Sequence, residues 1–259
     1  MNPDFRRLYW IRDRMRASGL DALLCLLPHN VLMLTGYAPV LGQSFAFFPL
    51  EGDPVLLVPD SEEQLARGGW VTDIRTFEPV SLLQLSTLAV AVEPMLAQLA
   101  RERDMLGCVI GYEHDYGLVP VSNAEIATPS AGTFQLLQEA FGGAEWRPAD
   151  GELEQLEAVL TDREVELVKL ANLVAAQGMV AARSALRPGM RECDLAGAVY
   201  SAVLAAGHRE ECSRLCTCCP ARERRKAIGL SVSPRGARSS GATRCWCSWS
   251  CAWTASGQR

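Results

Sequence analysis

Long apolar runs are absent from this chain. Stretches such as Ala22–Leu27 and Val31–Leu34 are far shorter than the ~20 residues a spanning helix needs, so no membrane partner is expected. The start also lacks an uninterrupted apolar segment. Met1–Met15 mixes Arg6, Arg7, Arg12 and Arg14 with Asp4 and Asp13, so no signal peptide is expected and a cytoplasmic location is the expectation. Cysteine is scarce over most of the length: only Cys25, Cys108 and Cys193 precede residue 212. Aspartate is missing altogether after Gly207, and His208 is the last histidine. No internal repeat is present.

What remains is the composition of a soluble globular protein. The 259 residues are 49% hydrophobic and 21% charged, enough for one large or two ordinary domains. The net charge of −5 hides an asymmetry: residues 212–259 sum to +8 and everything before them to −13. Cysteine divides at the same place. Cys212, Cys216, Cys218, Cys219, Cys245, Cys247 and Cys251 all lie in the last 48 residues. So abrupt a break says that the two parts do not share an origin.

Periodicity organises the first part. Leu8, Ile11 and Met15 place one face of a helix over 3–18, with Gly19 as its left-handed cap. Strands are expected at Asp21–Leu27, Val31–Thr35, Phe45–Pro49 and Val55–Val58. The last two flank the turn sequence Glu51-Gly52-Asp53-Pro54 and form a hairpin, whereas Val31–Thr35 has the apolar run of a strand covered on both faces. A short helix over 61–68 starts at Ser61, and Asp73–Phe77 is an edge strand. Leu85, Leu88, Ala89, Val92, Leu96 and Leu99 keep helical spacing across 82–103, with a kink or a restart at Pro94. Val109–Tyr112 is a further strand. Helices alternating with strands predict an α/β domain with a mixed β-sheet flanked by helices.

Residues 142–162, with Gly142-Gly143, Pro148 and Gly151, look like a boundary. Beyond it Thr161 and Glu164 fit a capping box. The helix they begin carries the stripe Leu167, Leu170, Ala171, Val174, Gly178 and Ala181. A turn at Arg187-Pro188-Gly189 leads to a second helix over about 192–206, with Leu195, Val199, Ala202 and Ala206 on one face.

Several segments, in order, resemble one family. Arg7–Met15 followed by Gly19–Leu24 resembles the opening helix and strand of the creatinase N-terminal domain. Pro28-His29-Asn30-Val31 through Leu34-Thr35-Gly36-Tyr37 resembles its next segment, and Phe45–Pro59 its hairpin. Thr161–Ala171 resembles the linker and first helix of the pita-bread catalytic domain of creatinases and Xaa-Pro aminopeptidases. Leu186-Arg187-Pro188-Gly189-Met190-Arg191-Glu192 resembles the segment before its second helix. Arg191 stands where that family usually has a Thr or Ser able to cap the helix, a loss of about 1 kcal/mol.

The resemblance covers about residues 5–211 and implies a hydrolase of Xaa-Pro peptide or related C–N bonds. It also implies a homodimer in the intact parent. Metal-dependent members hold two ions, often Mn, Co or Zn, through two Asp, one His and two Glu, with a bridging water as nucleophile. All five would follow Gly207, where only His208, Glu210, Glu211 and Glu223 are available. No metal, no cofactor and no catalytic residue are therefore expected in this chain, and no activity from it alone. His208 is expected as a solvated residue beside a helix end. The resemblance places His29 and Tyr37 in a loop region that, in dimeric relatives, approaches the neighbouring subunit's active site. They are the candidate substrate-proximal residues. Glu113, His114 and Asp115 are adjacent on a strand end and point alternately, so a solvated loop is expected rather than a metal trio. Cys25 and Cys108 are expected as small core residues.

The final segment fits a change of reading frame. Back-translating Ala242–Gln258 with GC-rich codons permits an alternative frame reading D-A-V-L-V-L-V-E-L-R-V-D-G-Q, which resembles a pita-bread strand and turn. That frame offers Glu where metal-binding relatives place their first Asp. A Cys-rich zinc module fits less well, because only Cys212–Cys216 and Cys216–Cys219 approach knuckle spacing. Arg222, Arg224, Arg225, Lys226, Arg235 and Arg238 give nonspecific attraction at most, and no nucleic-acid partner is expected. The expected organisation is a creatinase-like domain over 1–150, a truncated start of the catalytic domain over 151–211, and a disordered, out-of-frame tail over 212–259. The apolar stripes of 163–206 would leave the chain prone to self-association. The alternative is a non-enzymatic binding or oligomerisation module that uses the N-terminal domain alone.

Overall fold

The computed structural model describes residues 3–40, 44–78, 87–114 and 130–207. His208, Asp115, Leu85 and the tail over 212–259 lie outside them. Among the described residues, those through Val159 form one compact unit and those from Leu160 to Gly207 a second.

The first unit opens with α1 (Phe5–Ser18), capped by Asp4 and ended by left-handed Gly19. Its buried face is Arg7, Ile11 and Met15, with Leu8 only half-buried. β1 (Ala22–Cys25) follows, fully buried. Next comes α2 (Pro28–Thr35), and here the expectation of a strand at Val31–Thr35 fails. The local signals for a helix were present: Pro28 sits in the first turn and Gly36 adopts φ 70° at the C-cap. A Cβ at Gly36 would come within 2.3 Å of the Trp70 ring, so this turn is closed to other residues. A short apolar run belongs equally to a buried helix or a buried strand.

The hairpin is present as β2 (Phe45–Pro49) and β3 (Val55–Pro59), antiparallel to each other. A 3-10 turn, Asp60–Glu62, and α3 (Glu63–Ala66) lead to β4 (Asp73–Phe77) at the sheet edge. α4 (Leu88–Glu102) is a single helix that keeps Pro94 inside it rather than restarting there. β5 (Val109–Tyr112), α5 (Ala131–Ala140), β6 (Glu145–Pro148) and α6 (Asp150–Glu157) complete the unit. The stretch that suggested a boundary thus holds a strand and a helix, and α6 packs against α1.

The six strands run β4-β3-β2-β1-β5-β6. β2 is antiparallel to both neighbours, and the other pairs are parallel. The architecture is α/β, a mixed sheet flanked by helices. Both faces are covered, which explains why the strands read as continuous apolar runs. On one face Leu23, Phe48 and Leu56 pack with Ile11, Met15, Leu153 and Leu156. On the other, Leu24, Phe47 and Leu57 pack with Val92, Leu96, Leu99 and Phe141. Burying each such side chain is worth about 1.5–3 kcal/mol.

The second unit is a helical pair, α7 (Asp162–Ala185) and α8 (Glu192–Gly207), packed on each other. Thr161 and Glu164 form the expected capping box. In place of a hydroxyl cap on α8, Arg191 binds both carboxylate oxygens of Asp194, at 2.9 and 2.8 Å. Of the predicted stripe on α7, only Val174 and Gly178 are buried, and Leu173, Met179 and Val180 are exposed. α7 is also the one helix among the described residues long and apolar enough, by length and composition, to cross a membrane. Its apolar residues are dispersed, with Asn172 and Gln177 between them, which is why no single run announces it.

Candidate functional site

The parallel neighbours β1 and β5 end side by side, with Leu24 paired to Tyr112. The chain leaves β1 toward β2 on one side of the sheet and leaves β5 toward β6 on the other. Strand ends at such a divergence leave a crevice where α/β folds commonly place ligand-binding groups. Buried Glu113 and Asn30 lie there.

Glu113, the first residue after β5, is 4% exposed. Its carboxylate accepts from the backbone N–H of Leu26 at 2.7 Å, of Leu27 at 2.9 Å, and from Asn30 Nδ2 at 2.8 Å. The Cys25 thiol donates to it as well. α2 has no cap from its own N-cap residue, Leu27. Glu113 therefore supplies the missing acceptor, and its charge complements the positive end of the helix. Burial nevertheless dominates and raises its pKa to about 7, against the lowering effect of the donors from Leu26, Asn30 and Leu27. This corrects the expectation of a solvated loop: Glu113 is a core carboxylate, while His114 beside it is exposed. The nearby Cys25 thiol is pushed well up, first by burial and then by the Glu113 charge, so it is not an activated nucleophile.

His29 stands in the first turn of α2, with Nε2 3.3 Å from Oε1 of Glu157, the last residue of α6. Burial lowers the His29 pKa to about 4. The Glu157 pKa is raised to about 7, first by burial, then by the charges of Glu113 and Glu154, against Arg7. Both shifts work against an ion pair, because burial disfavours the charged form of each group. Arg7 is 1% exposed and donates to the carbonyls of Leu156 at 2.6 Å and Val159 at 2.8 Å. It thereby satisfies the C-terminal end of α6.

Tyr37 lies beyond the other end of α2 from His29, past the left-handed Gly36 cap. It is 2% exposed, and its hydroxyl is hydrogen-bonded to buried Glu62, which also accepts from the Val40 N–H at 2.8 Å. The structure does not bring His29 and Tyr37 together. Arg7, Glu62 and Glu113 are buried and Glu157 half-buried, and no sequence pattern announces any of them. The signal available in the sequence was indirect: a helix opening Leu27-Pro28 with no capping side chain of its own needs an acceptor from elsewhere.

Above Leu24 and Leu26 lies a cleft of about 300 Å³, walled by Tyr112 stacked on Phe134. Among the described residues, no group of three His, Cys, Asp or Glu side chains is placed to hold a metal ion. A two-metal centre does not fit the described residues.

A two-faced mixed sheet flanked by helices, followed by a helical pair, defines the class: an α/β domain and a second, helical unit. Residues 7–159 match the family described as creatinase/prolidase N-terminal domain. The chain belongs to that family. No curated protein matches it. Among solved structures, it is similar to the prolidase of Pyrococcus horikoshii OT3, with TM-score 0.55 and 17% identity, over 79% of this chain and 50% of that one. It is similar to the X-Pro aminopeptidase of Thermotoga maritima MSB8, with TM-score 0.55 and 16% identity, over 76% and 50%. The Xaa-Pro dipeptidase of Bacillus anthracis gives TM-score 0.55 and 17% identity, over 78% and 49%. At these identities the likeness is one of fold. The chain spans about half the length of these relatives.

Proposed function

We propose that this chain carries the N-terminal domain and the opening helices of an Xaa-Pro-peptidase-like or creatinase-like hydrolase, and has no hydrolytic activity by itself. The observation that carries this is the family match over residues 7–159, followed by a helix pair whose first member has a capping box. The domain's work in the intact parent is to shield substrate and to support a homodimer in the cytoplasm. His29, a third exposed at the end of α2, keeps its candidacy as a substrate-proximal residue. Tyr37 is better read as a core residue, because its hydroxyl is committed to Glu62. The charge and cysteine break at residue 212 supports an out-of-frame tail, and resequencing the gene across residues 205–215 tests it.

Activity tests the rest. The purified chain should release no N-terminal residue from an Xaa-Pro peptide with Mn or Co added. Metal-stimulated release would overturn the proposal. A second reading, a binding or oligomerisation module, is favoured by one observation: the six-stranded unit covers both faces of its sheet with its own helices.

A further inference from the structure

α7 packs on α8, and its buried residues are Val174 and Gly178. These two lie on one side of the helix, because residues four apart face the same way. The far side carries a second stripe, whose members recur at alternating steps of four and three. Such steps keep to one side of a helix and form the seam of paired helices. Every member is exposed. The stripe opens with Asp162 and Glu166 and runs through Leu173, Ala176 and Val180. It closes with Arg183 and, just past the end of the helix, Arg187. Leu173 is 63% exposed and Val180 50%. Lys169 is the member out of charge order, and its ammonium is paired with Glu166 at 2.7 Å.

We propose that this stripe is the docking surface for a second copy of the chain, the two α7 helices lying antiparallel about a two-fold axis. A stripe that is acidic at one end, apolar in the middle and basic at the other is complementary to itself reversed. One register satisfies all of it. Setting Leu173 against Ala176 of the second copy also sets Glu166 against Arg183 and Asp162 against Arg187. Lys169 then falls beside Val180, where its aliphatic stem covers apolar surface. A parallel pairing in register would set like charges together at both ends.

The two-fold contact uses the same patch on both copies, so it closes at a dimer and does not grow into an aggregate. Its apolar centre is short, which makes the association weak and leaves orientation to the charges. The contact stands apart from the hydrolase reading, since it uses α7 alone. A lipid surface is the competing occupant, because α7 is long and apolar enough to cross a membrane. The order of charges favours the second copy. An anionic lipid surface attracts Arg183 and Arg187 but repels Asp162 and Glu166.

Sedimentation velocity of the full chain under reducing conditions, from low micromolar to submillimolar concentration, tests this. The wild type should show a monomer–dimer equilibrium. Glu166→Arg and Arg183→Glu, both at exposed positions, should each raise the dissociation constant about tenfold or more, since each sets like charges face to face twice in a two-fold dimer. Mixed in equal amounts, the two variants should associate again, because the mixed pair restores opposite charges at both places. That recovery also shows that both variants fold. A wild type that stays monomeric, single variants that dimerise as the wild type does, or a mixture that stays monomeric would overturn the docking surface. So would capture of the wild type by anionic vesicles with no dimer in solution.

Discussion

The two units are built from similar amphipathic stretches and reach different ends. In the first, Phe45, Phe47, Phe48, Leu23, Leu24, Leu56 and Phe141 are all essentially inaccessible, because a sheet presents two faces and helices cover both. In the second, a pair of helices leaves Leu173, Met179, Val180 and Leu186 at least half exposed. A helix pair offers each partner one contact stripe, so apolar residues on the remaining arc stay in water. Apolar periodicity fixes what can be buried, and only the number of partner surfaces fixes what is.

The largest expected effect breaks the comparison at its centre. Phe48→Ala should cost about 3–5 kcal/mol in chemical denaturation of the first unit. Leu173→Ala should stay within about 0.5 kcal/mol, as a surface change does. Equal costs would mean that the second unit is as well packed as the first.

Glu113 comes next. Its pKa rises from 4.5 to about 7 in the folded chain. A carboxyl with a raised folded pKa favours the folded state most below its unfolded value, and that advantage is lost as the pH rises to the folded value. Stability should thus fall by about 3 kcal/mol between pH 4.5 and 7 from this group. Glu113→Gln should flatten that slope, and Glu113→Ala should destabilise at every pH by leaving the α2 amides uncapped. Denaturation midpoints across pH 4.5–8 check both.

The anchor of α6 should be worth slightly less. Arg7→Ala removes two charge-assisted bonds to the Leu156 and Val159 carbonyls and should cost about 2–3 kcal/mol. The loss should appear as faster exchange at 150–157. The smallest effect is in the second unit. Thr161→Ala removes the capping box and should cost about 1 kcal/mol, read as fraying of the first turn of α7.

Much of this was legible in the sequence, and the failures have one cause. Gly19, the turn at Glu51–Pro54 and the box at Thr161–Glu164 are local devices, and each does what its sequence implied. The apolar run Val31–Thr35 suits a buried strand as well as a buried helix, and the acceptor at the start of α2 comes from Glu113, over eighty residues away. Glu113 was read as solvated for the same reason, since its partners are backbone amides of another segment. Tyr37 and Glu62 meet only because α2 and the turn after β3 are adjacent. Arg7 joins the buried face of α1, where Leu8 is only half-buried, because the carbonyls it serves, of Leu156 and Val159, lie at and just beyond the end of α6.

Native-state hydrogen exchange of the intact chain tests the central contrast most directly. The account predicts that amides of β1, β2, β3 and β5 exchange only through global unfolding, while those of α7 and α8 exchange orders of magnitude faster. Protection in α7 and α8 equal to that in β1 would contradict it.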